Sequence, residues 1–151
     1  MQQLIELYKQ WSGNKPAKID KMQGAGSNRQ YFRLTANDGS TVVGVIGTSK
    51  DEDHAFVNIA RQFAEQKLPV PQVLAVSDNE MRYLQTDLGS TSLFDAIRGG
   101  REAGGRYNLA EQELLKKTIR ALPNIQIRGA RGMDWSVCYP QPVFNEESVL
   151  F

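Results

Sequence analysis

Two short runs of strand-forming residues, Gln30 to Thr35 and Thr41 to Gly47, flank the turn-forming stretch Asn37-Asp38-Gly39-Ser40. The first run is aromatic and the second is rich in valine, so the pair reads as a β-hairpin. What lies on either side limits what that hairpin can join. Ser49 is placed to cap a helix, and Glu52, three positions on, completes a capping-box pattern. Ala55, Phe56, Ile59, Ala60, Phe63 and Ala64 then form an apolar stripe at helical spacing. Leu68-Pro69-Val70-Pro71 ends that helix. Val73 to Ser77 and Met81 to Thr86 read as two further strands joined at Asp78-Asn79. Upstream, Leu4, Leu7, Tyr8 and Trp11 recur at helical spacing, Gly13, Asn14 and Pro16 stop that helix, and Lys18 to Met22 reads as a short strand. The order helix, strands, helix, strands predicts an α+β fold in which an antiparallel sheet carries a packed helix.

Beyond Leu88-Gly89 the pattern changes. Ser92 to Ile97 reads as a short helix, and Arg98 to Arg106, rich in glycine and arginine, as an exposed loop. Asn108 caps a further helix with Glu111 at the capping-box position. Leu114, Leu115, Thr118, Ile119 and Leu122 give that helix one apolar side. From Pro123 onward no strong pattern recurs. The expected division is a sheet domain over residues 1–88 and a partly helical segment over 89–151.

Several function classes fall away on composition. A net charge of +1 in 151 residues predicts no nucleic-acid binder and no acidic tail. The leading MQQLIELYKQW lacks the basic-then-apolar layout of a signal peptide. No apolar run approaches the ~20 residues that span a bilayer, so no membrane partner is expected and a cytoplasmic location is. Cys138 is the single cysteine, which leaves no intrachain disulfide and no cysteine-based zinc site.

The residues able to carry chemistry are few. A small-residue turn, Gly24-Ala25-Gly26-Ser27-Asn28, lies between two strands, where backbone N–H groups can approach phosphate oxygens. Ser27 adds a hydroxyl and Arg29 a permanent charge. The spacing matches neither the full G-x-G-x-x-G pattern nor a P-loop, and taken alone the stretch reads first as an ordinary hairpin turn. His54, the only histidine, reads as a surface or partly packed residue. Asp87 and Asp134 read as turn or capping acids, and Arg98, Arg101 and Arg106 as a solvated basic loop. No catalytic or metal-ligating residue is assigned.

Taken in order, several of these pieces resemble the aminoglycoside-phosphotransferase and choline-kinase-like family. Gly26-Ser27-Asn28-Arg29-Gln30-Tyr31-Phe32-Arg33-Leu34 is similar to its nucleotide loop and second strand. That segment is closest to the bacterial branch that includes sugar kinases acting on N-acetylmuramate and N-acetylglucosamine. Ala55 to Ala60 followed by Leu68-Pro69-Val70-Pro71-Gln72-Val73-Leu74-Ala75 resembles the family's helix and following strand, and Tyr83-Leu84-Gln85-Thr86-Asp87-Leu88-Gly89 its hinge phrase. The resemblance covers most of residues 1–122. It implies a kinase-like N-lobe that binds ATP with Mg²⁺, followed by the start of a helical C-lobe, in a parent enzyme that phosphorylates a small molecule, a sugar by preference. It further implies that Gly26, Ser27 and Asn28 cover the nucleotide phosphates. Arg29 and Arg33 are then the candidate phosphate cations, Val43 and Val45 or their neighbours on the opposite face of that strand wall the adenine, and the hinge backbone near Thr86 and Leu88 bonds the adenine edge. Glu52 stands where the family has a helix carboxylate that orients a strand lysine.

The chain departs from that pattern in two places. Val42-Val43-Gly44-Val45-Ile46 contains no lysine. No histidine follows His54, so the family's His-x-Asp catalytic loop has no counterpart, and no downstream segment supplies Mg²⁺ ligands. The resemblance therefore implies a truncated chain, inactive alone. An alternative of another class is a non-catalytic binding or regulatory module that keeps the lobe fold. The apolar side of residues 114–122 and the segment after it further suggest a homodimer formed through residues after Gly89.

Overall fold

The structure, a computed structural model, describes residues 1–23, 26, 28–143 and 145–146. Met1–Asp87 and the segment from Met133 onward form one compact unit, and Leu88–Gly132 forms a second. Among the described residues no helix is long and apolar enough to cross a membrane.

In the first unit, α1 (Gln2–Ser12) ends where Gly13 turns into the left-handed region at φ 81° and donates its N–H to the Lys9 carbonyl, a conformation glycine reaches without strain. Five strands follow around a second helix: β1 (Lys18–Lys21), β2 (Gln30–Thr35), β3 (Thr41–Ile46), α2 (Lys50–Glu65), β4 (Val73–Val76) and β5 (Arg82–Thr86). The sheet order is β1-β2-β3-β5-β4, and every neighbouring pair is antiparallel. The expected hairpin is β2–β3, in the register Gln30 opposite Ile46 through Thr35 opposite Thr41.

Both faces of the sheet are covered, each by one helix. Leu4, Leu7 and Tyr8 of α1 pack on Phe32, Leu34, Val42 and Leu84. On the other face Val57 of α2 packs on Val43, Val45 and Tyr83, with Tyr31 and Phe56 alongside. The period of two along each strand produces this split. It puts Tyr31 and Arg33 on the α2 face, opposite Phe32 and Leu34. Gly44 lies where a Cβ would come within 3.0 Å of Leu4 and Leu34, so α1 sits directly on the backbone of β3.

The buried side of α2 differs from the apolar stripe expected for it. Asp53, Ala55, Val57 and Ala60 are its buried residues, while Phe56, Ile59, Phe63 and Ala64 are half-buried. Ser49 caps the helix by accepting from the Glu52 N–H at 3.4 Å. The Glu52 carboxylate, however, goes to Arg29.

The second unit contains α3 (Leu93–Ala96), α4 (Arg98–Glu102) and α5 (Leu109–Pro123). Residues 98–106 are thus not wholly the loop expected from their composition, since their first half is a helical turn. The cause is Glu111, whose carboxylate is buried and accepts from Gly100 N and Asn108 N, each at 2.9 Å. Gly100 fits because it has no Cβ; one would lie 2.1 Å from the Tyr107 ring. The Asn108–Glu111 capping box forms as its sequence suggests. Leu114, Ile119 and Leu122 on α5 are exposed.

Leu4 is fully buried against both Leu34 and Gly44. Leu4→Ala should therefore lower unfolding stability by about 2–5 kcal/mol, read as a fall in the urea midpoint at constant slope.

Candidate functional site

The small-residue turn enters β2 through Gly26, which is exposed and left-handed at φ 72°, a backbone state that β-carbon-bearing residues resist. Asn28 beside it is exposed. Ser27 lies outside the described residues. The turn then delivers Arg29, the residue around which the local chemistry is organised.

Arg29 reaches across to the first turns of α2. Its Nε donates to Asp53 Oδ1 at 2.8 Å, and its Nη2 donates to the Glu52 carbonyl at 3.0 Å and lies 3.1 Å from Glu52 Oε1. Its guanidinium carbon stands 5.3 Å from the centre of the Phe56 ring, a cation–π distance. Phe56 in turn stacks on Tyr83, with centroids 5.0 Å apart. The Arg29 side chain is 11% exposed, that of Asp53 0% and that of Glu52 40%.

Gly47, one residue past β3, makes room for this arrangement. A Cβ there would lie 1.4 Å from Asp53 Oδ2, so only glycine lets the carboxylate sit against the backbone. Asp53 Oδ2 and the Tyr83 hydroxyl are both buried without a hydrogen-bond partner among the described residues. Burial pushes the Asp53 carboxyl above its ordinary range, against the opposing pull of the Arg29 hydrogen bond and charge. Burial likewise raises the Tyr83 hydroxyl, with Arg29 opposing it. Arg29 itself is held above its ordinary value. Burial works against that, and the influence of Tyr83, Asp53 and Glu52 outweighs it.

A second arginine–carboxylate pair lies on the same sheet face. Arg33 stands opposite Asp20 on β1 and Val43 on β3. Its Nη2 donates to Asp87 Oδ1 at 3.0 Å and its Nε to Asp87 Oδ2, a two-pronged pairing that suits the guanidinium fork. The Asp87 side chain is 6% exposed, so it is a buried partner at the end of β5, whereas a turn or capping acid was expected. The hydrogen bond that Arg33 donates to Asp87 leads the effects that raise the Arg33 pKa.

The other expected site residues fall as follows. Val43 and Val45 are buried in the α2-facing cluster. Thr86 closes β5 by exchanging with Gln72: its N–H donates to the Gln72 carbonyl and its Oγ1 accepts from Gln72 N, both at 3.0 Å. Leu88 is exposed. His54 is on the surface, with Nδ1 2.6 Å from Glu80 Oε2. Asp134 has the capping role expected of it, accepting from Ser136 N at 2.9 Å. Of the basic cluster, Arg98 pairs with Asp95 and Arg101 lies over Phe94. Among the described residues no three His, Cys, Asp or Glu side chains gather as a metal site.

Sequence reasoning missed Asp53 and Gly47. The available signal was Asp53 itself, an acid four residues before Val57 and seven before Ala60 on a helix whose other face is polar. Acids on a buried stripe are rare unless paired.

No protein-family model matches the chain. It is 26% identical over 141 residues to an N-acetylmuramate/N-acetylglucosamine kinase of Pseudomonas aeruginosa, an alignment that takes in 93% of this chain and 38% of that protein. The chain thus spans well under half the length of the curated relative it matches. That relative is a sugar kinase, and the likeness to it is distant.

Removing Arg29 would leave Asp53 as a buried, unpaired acid. Arg29→Ala should therefore cost about 3–5 kcal/mol of unfolding stability, measured by chemical denaturation at neutral pH. Arg29→Ala with Asp53→Ala should recover part of that loss, and a double-mutant cycle would read the coupling directly.

Proposed function

We propose that this chain is the ATP-binding lobe of a small-molecule kinase, with a sugar as the acceptor in the parent enzyme. The single observation that carries this reading is the Arg29 cluster. A glycine turn at the entry to a strand leads straight into a cation that a helix carboxylate holds at 2.8 Å. Kinases build such a cation–carboxylate pair beside their nucleotide phosphates. The distant sugar-kinase relative supports the same reading and supplies the acceptor class.

In this reading Gly26, Ser27 and Asn28 lie over the phosphates and Arg29 faces them. Val43 borders the adenine, and the backbone near Thr86 and Leu88 meets its edge. Arg33, locked to Asp87, ties β2 to the end of β5 and holds the two strands that would frame the base. ATP supplies the transferable phosphoryl group, and Mg²⁺ accompanies it with ligands from outside the described residues. Transfer needs an acid to position the acceptor hydroxyl and acids to hold the metal, and no segment of this chain carries the matching motif. The chain alone is therefore a binding lobe without turnover.

One observation favours the second reading, a binding module that keeps the lobe and has no transfer chemistry. β3 presents only Val43 and Val45 to α2, and Arg29 is shared between two acids. That leaves the cluster without surplus positive charge.

Isothermal titration of the purified chain with Mg-ATP should show saturable binding. Arg29→Ala should weaken it by about 1.5–3 kcal/mol, the size of a charged hydrogen bond, in samples shown to be folded by circular dichroism. A coupled assay with amino sugars should show no ADP release above background. Turnover that survives repurification would remove the claim of inactivity, and absence of nucleotide binding would remove the kinase-lobe reading.

A further inference from the structure

Two adjacent acids on α2 hold one arginine, and they are built differently. Asp53 is fully buried, and Gly47 leaves it a seat that no other residue would permit. Its Oδ2 has no hydrogen-bond partner among the described residues, and its Oδ1 takes the Arg29 Nε at 2.8 Å. Glu52 has no such seat. Its side chain is 40% exposed and meets Arg29 at Nη2, 3.1 Å away, where the Glu52 carbonyl also accepts at 3.0 Å. The two carboxylates therefore meet different nitrogens of the guanidinium.

We propose that these two acids act on nucleotide binding in opposite senses: Asp53 is the positioning residue that fixes Arg29 through Nε, and Glu52 is an internal stand-in for phosphate that a bound nucleotide displaces from Nη2. The proposal rests on the nucleotide reading above and assigns the regulation of that same site. It follows from which partner can leave. A partly exposed ion pair is worth little, because water takes over both charges. A fully buried carboxylate cannot be released in that way. A phosphate oxygen brings more negative charge than a carboxylate and suits the same fork geometry, so it outcompetes Glu52 and leaves the Asp53 contact intact. Glu52, once displaced, remains in the first turn of α2 beside Asp51, at the end of the helix where the backbone dipole tolerates acids. The usual kinase arrangement, in which one helix carboxylate orients the cation, would make loss of either acid harmful.

The test uses the 151-residue chain with two probes, Mg-ATP and inorganic tripolyphosphate, titrated by calorimetry against wild type, Glu52→Gln and Asp53→Asn. Glu52→Gln should bind both probes about fivefold tighter, the size expected for relief of an exposed ion pair, with its melting temperature nearly unchanged. Asp53→Asn should bind both at least about tenfold more weakly. Should Asp53→Asn not fold, the Arg29 side-chain resonances of wild-type protein give the second readout. The Nε–H should stay protected from exchange with and without ATP while the Nη signals shift. Glu52→Gln binding more weakly than wild type or equally well, or an Nε–H that loses protection on ATP binding, would overturn the inference and leave the nucleotide reading standing. Failure of wild type and both variants to bind either probe would overturn both.

Discussion

A carboxylate with no exposure to water must be neutral or paired, and Asp53 in this fold is held by Arg29. That one requirement propagates outward. It forces the chain at 29 to approach the first turns of α2, which fixes where the glycine turn enters β2. It requires glycine at 47, because any side chain there would occupy the space of the Asp53 carboxylate. It also places the guanidinium near Phe56, which stacks on Tyr83, so the charged pair is roofed by aromatic rings and shielded from water. Shielding strengthens the attraction within the pair and raises the cost of losing either partner.

The two units are stabilised by different means. In the first, the sheet is sealed on both faces, and each of its two core clusters joins one helix to several strands. Apolar burial dominates there, and the arginine–carboxylate pairs set geometry. In the second, the buried residues include an acid, Glu111, whose oxygens receive two backbone N–H groups. Its role is to join the turn at Gly100 to the cap of α5. Leu109, Leu114, Ile119 and Leu122 of α5 stay exposed to water, so short-range capping contributes more here than in the first unit.

The legible parts of this chain were those governed by local rules. Turn formers at residues 37–40 and the period of two along each strand were enough for the β2–β3 hairpin. Asn108 and Glu111 were enough for the cap of α5. Ser49 marked the start of α2, but the Glu52 side chain went elsewhere because a long-range partner, Arg29, competes for it. The stripe on α2 was read from apolar residues alone, and so Asp53 was overlooked. A buried acid becomes intelligible only when the arginine 24 residues away and the glycine beneath it are seen together. Asp87 was misjudged for the same reason, since its partner Arg33 lies 54 residues earlier. The glycines near 100 suggested a loop, yet Gly100 serves close packing against Tyr107 and does not act as a breaker.

The absence of a lysine from β3 also becomes intelligible. Val43 and Val45 occupy the α2-facing positions of that strand, and Val45 is fully buried between Val57 and Tyr83. A lysine at either place would have to displace this packing or carry its charge into an apolar layer. A cation delivered from the entry of β2 avoids the conflict. It approaches α2 past the end of the apolar layer, beside Gly47, and meets the helix at its first turns, where Glu52 and Asp53 are. The strand is free to be wholly apolar because the neighbouring strand supplies the charge. Arg29 stands one residue before β2, so the charge that meets α2 comes from the strand beside β3.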